Sequence, residues 1–484
     1  MLPTDPNMAW PPAGAQPLDM ATWRAWYSGN PAQLQANAAP PANRVARAFF
    51  WRRSRESLGA PRPKPIHVPL AAEIAQSSAD LLFGDPPDLR ITDNEKASER
   101  LDEIAQASGL GNTLLEAAEL CAALSGVYLR VSWDTEIAGH PFLTAVNADH
   151  AAPEFTYGWL SAVTFWRELP AKDRGVWRHL ERHEPGAILH GLYAGDATHL
   201  GKARELADHE ATAGLEPVVT LPDGVPARLL VWYVPNVKPD RIEPTSPQGR
   251  ADIQGAEDLL DGLDETYSSW VRDIRIGKAR ILVPHEALEN PGKRGGGKWF
   301  DADREVFTEL DGLDPKDMSL TVTEFQIRAA DHAATAVELL ERITSAAGYS
   351  PQTFGLRIEG RAESGTALRI RESKTAKTVA RKQRYWAPAV EAACESLLAV
   401  DRALFGSGVE VSRPQLVWPE EQQTPQELAG TLELLRRAEA ISIETAVRLA
   451  QPDLDEKELT AEVARIREES GTVVPSPLQE GLLA

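Results

Sequence analysis

From Thr366 to Leu404 the chain follows helical periodicity for almost forty residues, with a single proline, Pro388, inside the run. A proline there removes a backbone hydrogen bond and its ring clashes with the carbonyl four residues back, so the helix is expected to kink between Arg384 and Pro388. This helix also concentrates positive charge. Arg357 to Arg384 hold nine bases (Arg357, Arg361, Arg369, Arg371, Lys374, Lys377, Arg381, Lys382, Arg384) and three acids (Glu359, Glu363, Glu372). The whole chain sets 51 Lys and Arg against 71 Asp and Glu, a formal charge of −20, so this +6 segment leaves −26 for the other 456 residues. A charge run is usually a solvated face. Seven of these bases, however, spread around more than one face of a single helix, and such a helix needs a counter-surface, either acidic parts of neighbouring subunits or polyphosphate.

The rest of the chain divides by its punctuation and period. Residues 1 to about 65 hold eleven of the 36 prolines, which excludes a long helix or a central strand across them. Inside this arm, Asn43 to Leu58 reads as a short basic, aromatic, amphipathic helix. From Leu70 to Gly126 the pattern is helical, with breaks at Gly84 to Pro87 and at Gly109 to Gly111. Residues 127 to about 234 read as strands, among them VWRHLERH and AILHGLY joined by a turn at Glu184-Pro185-Gly186. Ile253, Ala256, Leu260, Leu263, Tyr267, Trp270 and Ile274 then form one apolar stripe on a helix of about 25 residues, close to 40 Å long. After a Gly/Asp-rich stretch from about Arg280 to Val322, a second helix follows from about Thr323. It places Ala330, Ala334, Val337, Leu340, Ile343 and Ala347 on one face and stops at Gly348 to Pro351. A glycine-bounded loop, the long helix, a short strand-like piece and two or three helices from Thr424 to Glu469 complete the order.

With 484 residues, 43% hydrophobic and 25% charged, the chain has the length of about three domains and the composition of an ordinary soluble protein. There is no basic opening followed by an apolar stretch and no run of about 18 apolar residues, so a reducing cytoplasm, or something assembled there, is the expected setting and no membrane partner is expected. Cys121 and Cys394 lie in alanine-rich helical surroundings and read as small apolar side chains, without a disulfide or zinc pattern.

Two motifs suggest chemistry without supporting it. Gly292 to Lys298 (GKRGGGK) fits the frame of a phosphate-binding loop, but Trp299 replaces the metal-binding hydroxyl and no buried strand precedes it. His179, Glu181 and His183 lack the adjacency of a zinc-protease pair and alternate as on the wet face of a hairpin. Acids are abundant but scattered, with no nucleophile elbow and no Cys/His pair. No catalytic residue, metal site or cofactor is therefore expected. The alternative is a nucleic-acid-processing enzyme with a dispersed metal site.

The order of elements, with SSADLLFGDPP (Ser77 to Pro87) and SGTALRIRESKTAKTVARKQRYW (Ser364 to Trp386), resembles the portal proteins of tailed bacteriophages, in particular those of long-tailed phages. The likeness runs from about Leu70 to Glu469. It implies an α+β, mainly α fold: a mixed α/β wing at 70–250, a two-helix stem at 251–279 and 323–348, and a small α/β clip at 280–322. A tunnel loop at 349–365, a long kinked helix at 366–405 and a helical crown at 406–470 would follow, with a Pro-rich arm at 1–69 and a flexible tail at 471–484. The arm, with its basic aromatic helix, departs from the pattern.

The resemblance further implies a homo-oligomeric ring, usually of twelve subunits, at one capsid vertex of a virion assembled in the host cytoplasm. Double-stranded DNA would pass through its channel, and terminase, major capsid protein, scaffold and a head-completion adaptor would be its partners. On this reading Arg357, Glu359, Arg361 and Glu363 face the bore. Arg369, Arg371, Lys374, Lys377, Arg381, Lys382 and Arg384 make salt bridges between subunits. An acidic wall keeps the duplex sliding, because each base that neutralises a phosphate adds salt-dependent affinity.

Overall fold

A computed structural model describes residues 1–30, 33–34, 66–170, 175–276, 280–282, 321–323, 327–356, 365–419, 425–438, 440–451 and 454–471. They belong to two units, Met1–Val417 and Trp418–Ala484, and the architecture is mixed α/β. The first unit begins with α1 (Met20–Ser28), α2 (Leu70–Phe83), the short strand β1 (Asp88–Arg90), α3 (Glu95–Ser108) and α4 (Leu110–Ala123). The expected breaks are where the helices end. Gly109, at φ +64°, closes α3 and opens α4, and Asn94 caps α3 by accepting from Ala97 N. Alanines 71, 75 and 79 on α2 and 117, 118 and 122 on α4 are buried, small enough for these two neighbouring helices to approach closely.

The period then changes to strands: β2 (Gly126–Ser132), β3 (Phe142–Asn147), β4 (Ala151–Thr156), β5 (Trp159–Leu169), β6 (Val176–Glu184), β7 (Ala187–Gly195), β8 (Lys202–Arg204), β9 (Val218–Thr220) and β10 (Val231–Pro235). Pairing is antiparallel throughout. β2 lies between β10 and β3, while β4 to β8 form a second sheet in chain order, with β9 also on β7. Pro185 and Gly186 are the two turn residues between β6 and β7, Gly186 taking φ +85° as a glycine there must.

One expectation about this sheet fails. His179 and His183 do not line a wet face; both are buried. His183 Nε2 meets Glu181 Oε1 at 2.6 Å, Arg130 on β2 donates to the same carboxylate, and His179 stacks on His190 with their ring nitrogens 3.2 Å apart. Burial, then the nearby His190 and Arg167, pull His179 down to about 4. The other face is closed by the first residues of the chain. Trp10 sits edge-on to Trp166 and joins Leu180, Tyr193 and Leu200 in a small core, and Trp10 N and Leu200 N donate to Thr198 O and Met8 O, each at 2.9 Å. Alternation along a strand reports two faces. It does not report that Arg130, 51 residues before Glu181, closes the face of the histidines, or that the first residues of the chain close the other.

The start of the arm is thus part of the fold. α1 buries Met20, Trp23, Ala25 and Trp26 in the main core, and Tyr27 Oη donates to Glu119 at 2.7 Å. The segment Asn43 to Leu58 lies outside the described residues.

Beyond β10 come α5 (Glu257–Ile276), β11 (Arg280–Leu282), β12 (Thr321–Thr323), α6 (Ala329–Ala347), α7 (Gly365–Val400) with a π turn at Asp401–Phe405, and β13 (Gln415–Val417), which pairs with β1. α5 starts four residues later than its apolar stripe implies. Ile253 and Ala256 are buried in turns rather than in the helix, where Gly255 takes φ +84° and Asn236 Nδ2 donates to Asp252 Oδ1 at 2.8 Å. The second unit holds α8 (Pro425–Arg437), α9 (Ile443–Ala450) and α10 (Glu456–Gly471), with Val447, Leu459 and Val463 as its core.

Candidate functional site at the base of the helix pair

α5 and α6 pack antiparallel. Near one end Asp252 meets Tyr349, further along Asp273 meets His332 at 3.0 Å beneath the stacked ring of Trp270, and beyond them β11 pairs with β12. Burial fades along this pair. Leu260, Leu263, Ile343 and Ala347 are buried, whereas Ile274, Ile327 and Val337 are 46%, 40% and 43% exposed. The stripe expected on α6 is therefore half right. Ile343 and Ala347 face inward with Ala336 and Thr344, but Ala330, Ala334 and Val337 lie on the open side. Among the described residues α5 is the neighbour of this part of the helix, and a single neighbour covers a narrower arc than the apolar positions occupy.

At the base, one face of α7 takes up the end of α6. Lys374 Nζ donates to Ser345 O at 2.6 Å and Ser345 Oγ at 2.7 Å, Thr378 Oγ1 donates to Gly348 O at 2.6 Å, and Thr375 Oγ1 accepts from Ser350 N at 2.9 Å. The last carbonyls of a helix have no internal partner, and a cation close to them also meets the negative end of the dipole. One turn on, Lys382 is 1% exposed and uses all three donors, to Ser78 Oγ at 2.6 Å, Asp252 Oδ2 at 2.6 Å and Tyr349 Oη at 2.9 Å. Tyr349 Oη in turn donates a hydrogen bond to Asp252 Oδ2 at 2.9 Å, and Asn236 Nδ2 donates to the other carboxylate oxygen. Five segments meet in this cluster: α2, the residue after β10, the turn before α5, the second residue after α6, and α7.

Lys382 is thus committed inside its own chain and belongs to no outer surface, contrary to its expected place among bases shared with a neighbour. Lys374 is also engaged internally. Lys377, Arg381 and Arg384 are exposed, follow one another at steps of four and three, and have no hydrogen bond or ion pair among the described residues. They form a cationic stripe along an exposed face of α7 beside the cluster. Arg250 extends it. Its Nε is buried without a partner, and burial, then Arg241 and Arg381, pull its guanidinium below the ordinary value against the opposing pull of Asp252 and Asp240.

Arg369 and Arg371 lie in the first turns of α7, with their side chains outside what is described. The loop bases and acids Arg357, Glu359, Arg361 and Glu363, and the Gly292 to Lys298 motif, fall outside the described residues. Pro388 lies within α7, on its exposed side, and the helix continues past it to Val400.

The Lys382 cluster gave no sequence signal, because its members are 33, 130 and 304 residues from the lysine. Both cysteines are buried and free, and burial pushes Cys394 up to about 12. Among the described residues no three His, Cys, Asp or Glu side chains are placed to hold a metal ion, and no helix is long and apolar enough to cross a membrane.

No curated protein matches the chain. Among solved structures, a chain of the virion of the native gene transfer agent (GTA) particle is similar at 12% identity, over 90% of this chain and 93% of that one, with a TM-score of 0.40. A chain from the neck of the empty GTA particle is similar at 14% identity, over 79% and 90%, with a TM-score of 0.42. The model of the family described as phage portal protein, SPP1 Gp6-like, matches residues 222–475, and this stretch takes in β10, both paired helices and the whole of α7. The match spans just over half of the 484 residues, and the chain belongs to that phage portal protein family.

Proposed function

We propose that this chain assembles into a ring, of twelve subunits, at one vertex of a phage capsid, and that the ring is the conduit through which double-stranded DNA is packaged and ejected. Terminase would dock on it during packaging and a head-completion adaptor afterwards, with major capsid protein and scaffold as its neighbours in the shell. α5 and α6 would be the stem, residues 280–322 the clip, 349–365 the tunnel loop and 406–470 the crown. The chain has no catalytic part in this scheme, since the motor hydrolyses the ATP.

The observation that carries this reading is the incompleteness of the single chain at one place. α7 leaves three exposed cations unpaired among the described residues, and beside it Ile274, Ile327 and Val337 of the helix pair are exposed. A ring offers a neighbour to every copy, so that an interface left open on one side is closed by the next subunit. The charge balance also suits a channel, because a −26 remainder presents DNA with little to grip.

Sedimentation and negative-stain imaging of the purified chain test this. Rings with a central hole are expected, and a chain that stays monomeric or dimeric across salt and concentration would overturn it. The loop assignment has its own test: Arg357→Ala with Arg361→Ala should impair DNA packaging or retention in assembled particles, and unchanged packaging would remove those residues from the bore.

A further inference from the structure

α5 carries the reverse of the stripe on α7. Between Glu257 and Val271 it has five acids and no base. Two of the acids are used inside the chain. Glu257 accepts from Trp23 Nε1 at 2.9 Å and Gly255 N at 2.6 Å, while Asp264 accepts from Val68 N at 2.8 Å and meets His67 Nδ1 at 2.8 Å. The other three, Asp258, Asp261 and Glu265, are exposed and have no hydrogen bond or ion pair among the described residues. An acid in the first turn is favoured by the helix dipole, which accounts for Asp258. It does not account for Asp261 and Glu265, whose like charges on one face repel one another.

The two stripes match in length and spacing as well as in sign. Seven residues separate Asp258 from Glu265 and Lys377 from Arg384, about 10.5 Å of helix in each. Along α5 the steps are three then four, and along α7 four then three. An antiparallel alignment therefore sets Asp258 opposite Arg384, Asp261 opposite Arg381 and Glu265 opposite Lys377, with no charge left over. Other exposed acids fit less well. On α6, Glu338 is taken by Arg342 at 2.8 Å, and on α3 the acids alternate with Lys96 and with Arg100, which already holds Glu103 and Asp401.

Within one chain none of these six groups meets another. We infer that the acidic stripe of α5 on one copy lies antiparallel along the cationic stripe of α7 on the next, so that a second copy of this chain is the counter-surface the basic helix requires. The inference rests on the ring reading and names the surfaces through which the ring closes. Electrostatic matching of this kind fixes register and rejects wrong partners more than it adds raw affinity.

Charge reversal separates the possibilities. One variant carries Asp261→Lys with Glu265→Lys, the other Arg381→Glu with Arg384→Glu, and assembly is followed by sedimentation velocity and negative stain. Each alone should raise the concentration for half-assembly by more than about tenfold, because attraction becomes repulsion at every seam. An equimolar mixture should assemble at the wild-type concentration, since alternating copies again present opposite charges. Assembly of either variant at the wild-type concentration, or a mixture that stays apart although both variants melt as the wild type does, overturns the seam. So does unchanged assembly with lost DNA binding in the second variant, which would give the stripe on α7 to the duplex. If a reversed variant melts early, Asp261→Asn with Glu265→Gln and Arg381→Gln with Arg384→Gln replace it, and wild-type assembly of both overturns the seam equally. A wild-type chain that never assembles overturns the ring itself, an outcome distinct from all of these.

Discussion

At the scale of single residues, the Lys382 cluster decides how the helix pair is held to the body. Burying an ammonium and a carboxylate costs several kcal/mol for each ion, and the ion pair offsets this only when the remaining donors and acceptors are also satisfied. Here they are: three acceptors surround Lys382, and both oxygens of Asp252 are bonded. Removing one partner leaves an uncompensated buried charge. Lys382→Met should therefore destabilise the chain by about 3 to 5 kcal/mol, and Asp252→Asn by a similar amount. The double variant should cost less than the sum of the two, because it strands neither charge. Denaturant melts of the four chains measure this, and strict additivity would mean that the two groups do not act as a pair. The sequence showed Lys382 as one base among nine. Nothing local distinguished a lysine with an internal carboxylate from a lysine awaiting a neighbour, because the distinction lies in residues brought together only by the fold.

At the scale of elements, the same limit takes a different form. The existence and order of the helices and strands were legible, because period 3.6 and period 2 are properties of neighbouring residues. Glycines at helix ends and the Pro185-Gly186 turn were legible for the same reason. Which face is covered was less so: α6 turns Val337 outward and the sheet buries His179 and His183, since a cover supplied from elsewhere in the chain leaves no mark on the segment it covers. The contrast within α6 gives a prediction. Ile343, with no exposed surface, should cost about 2 to 5 kcal/mol as Ile343→Ala in a dilute, unassembled sample. Val337→Ala, at a site 43% exposed, should change that stability by no more than about 0.5 kcal/mol. If the open side of the pair is covered by a neighbour, Val337→Ala should still weaken assembly. Equal effects on monomer stability would mean that Val337 is covered within its own chain in solution, and an effect on neither would leave the open side facing solvent in the ring.

At the scale of the whole molecule, charge is the property that function must reconcile. A protein that carries DNA through itself has to be near the duplex without holding it, and each Lys or Arg that neutralises a phosphate steepens the salt dependence of binding by about 0.9 in the logarithmic slope. The −20 of this chain is unevenly distributed, with a net +6 between Arg357 and Arg384 and −26 elsewhere. If Lys377, Arg381 and Arg384 are spent on neighbouring copies, as the seam requires, and Lys374 and Lys382 inside their own chain, few bases of this segment are left for phosphate. They are Arg369 and Arg371 at the start of α7 and those of the loop, Arg357 and Arg361, which alternate with Glu359 and Glu363. Duplex binding by assembled rings should then be weak, within the non-specific range of about 10⁻⁴ to 10⁻⁶ M at physiological salt. Its slope against the logarithm of salt concentration should be shallower than about −4.5, the value for five neutralised phosphates. The seam and the duplex compete for the same cations, so rings in which the stripe on α5 is neutralised by Asp261→Asn and Glu265→Gln, assembled at high concentration, should bind DNA more steeply than the wild type. A wild-type slope steeper than about −4.5 would show that the ring grips the duplex, and the acidic balance of the chain would then need a cause other than passage.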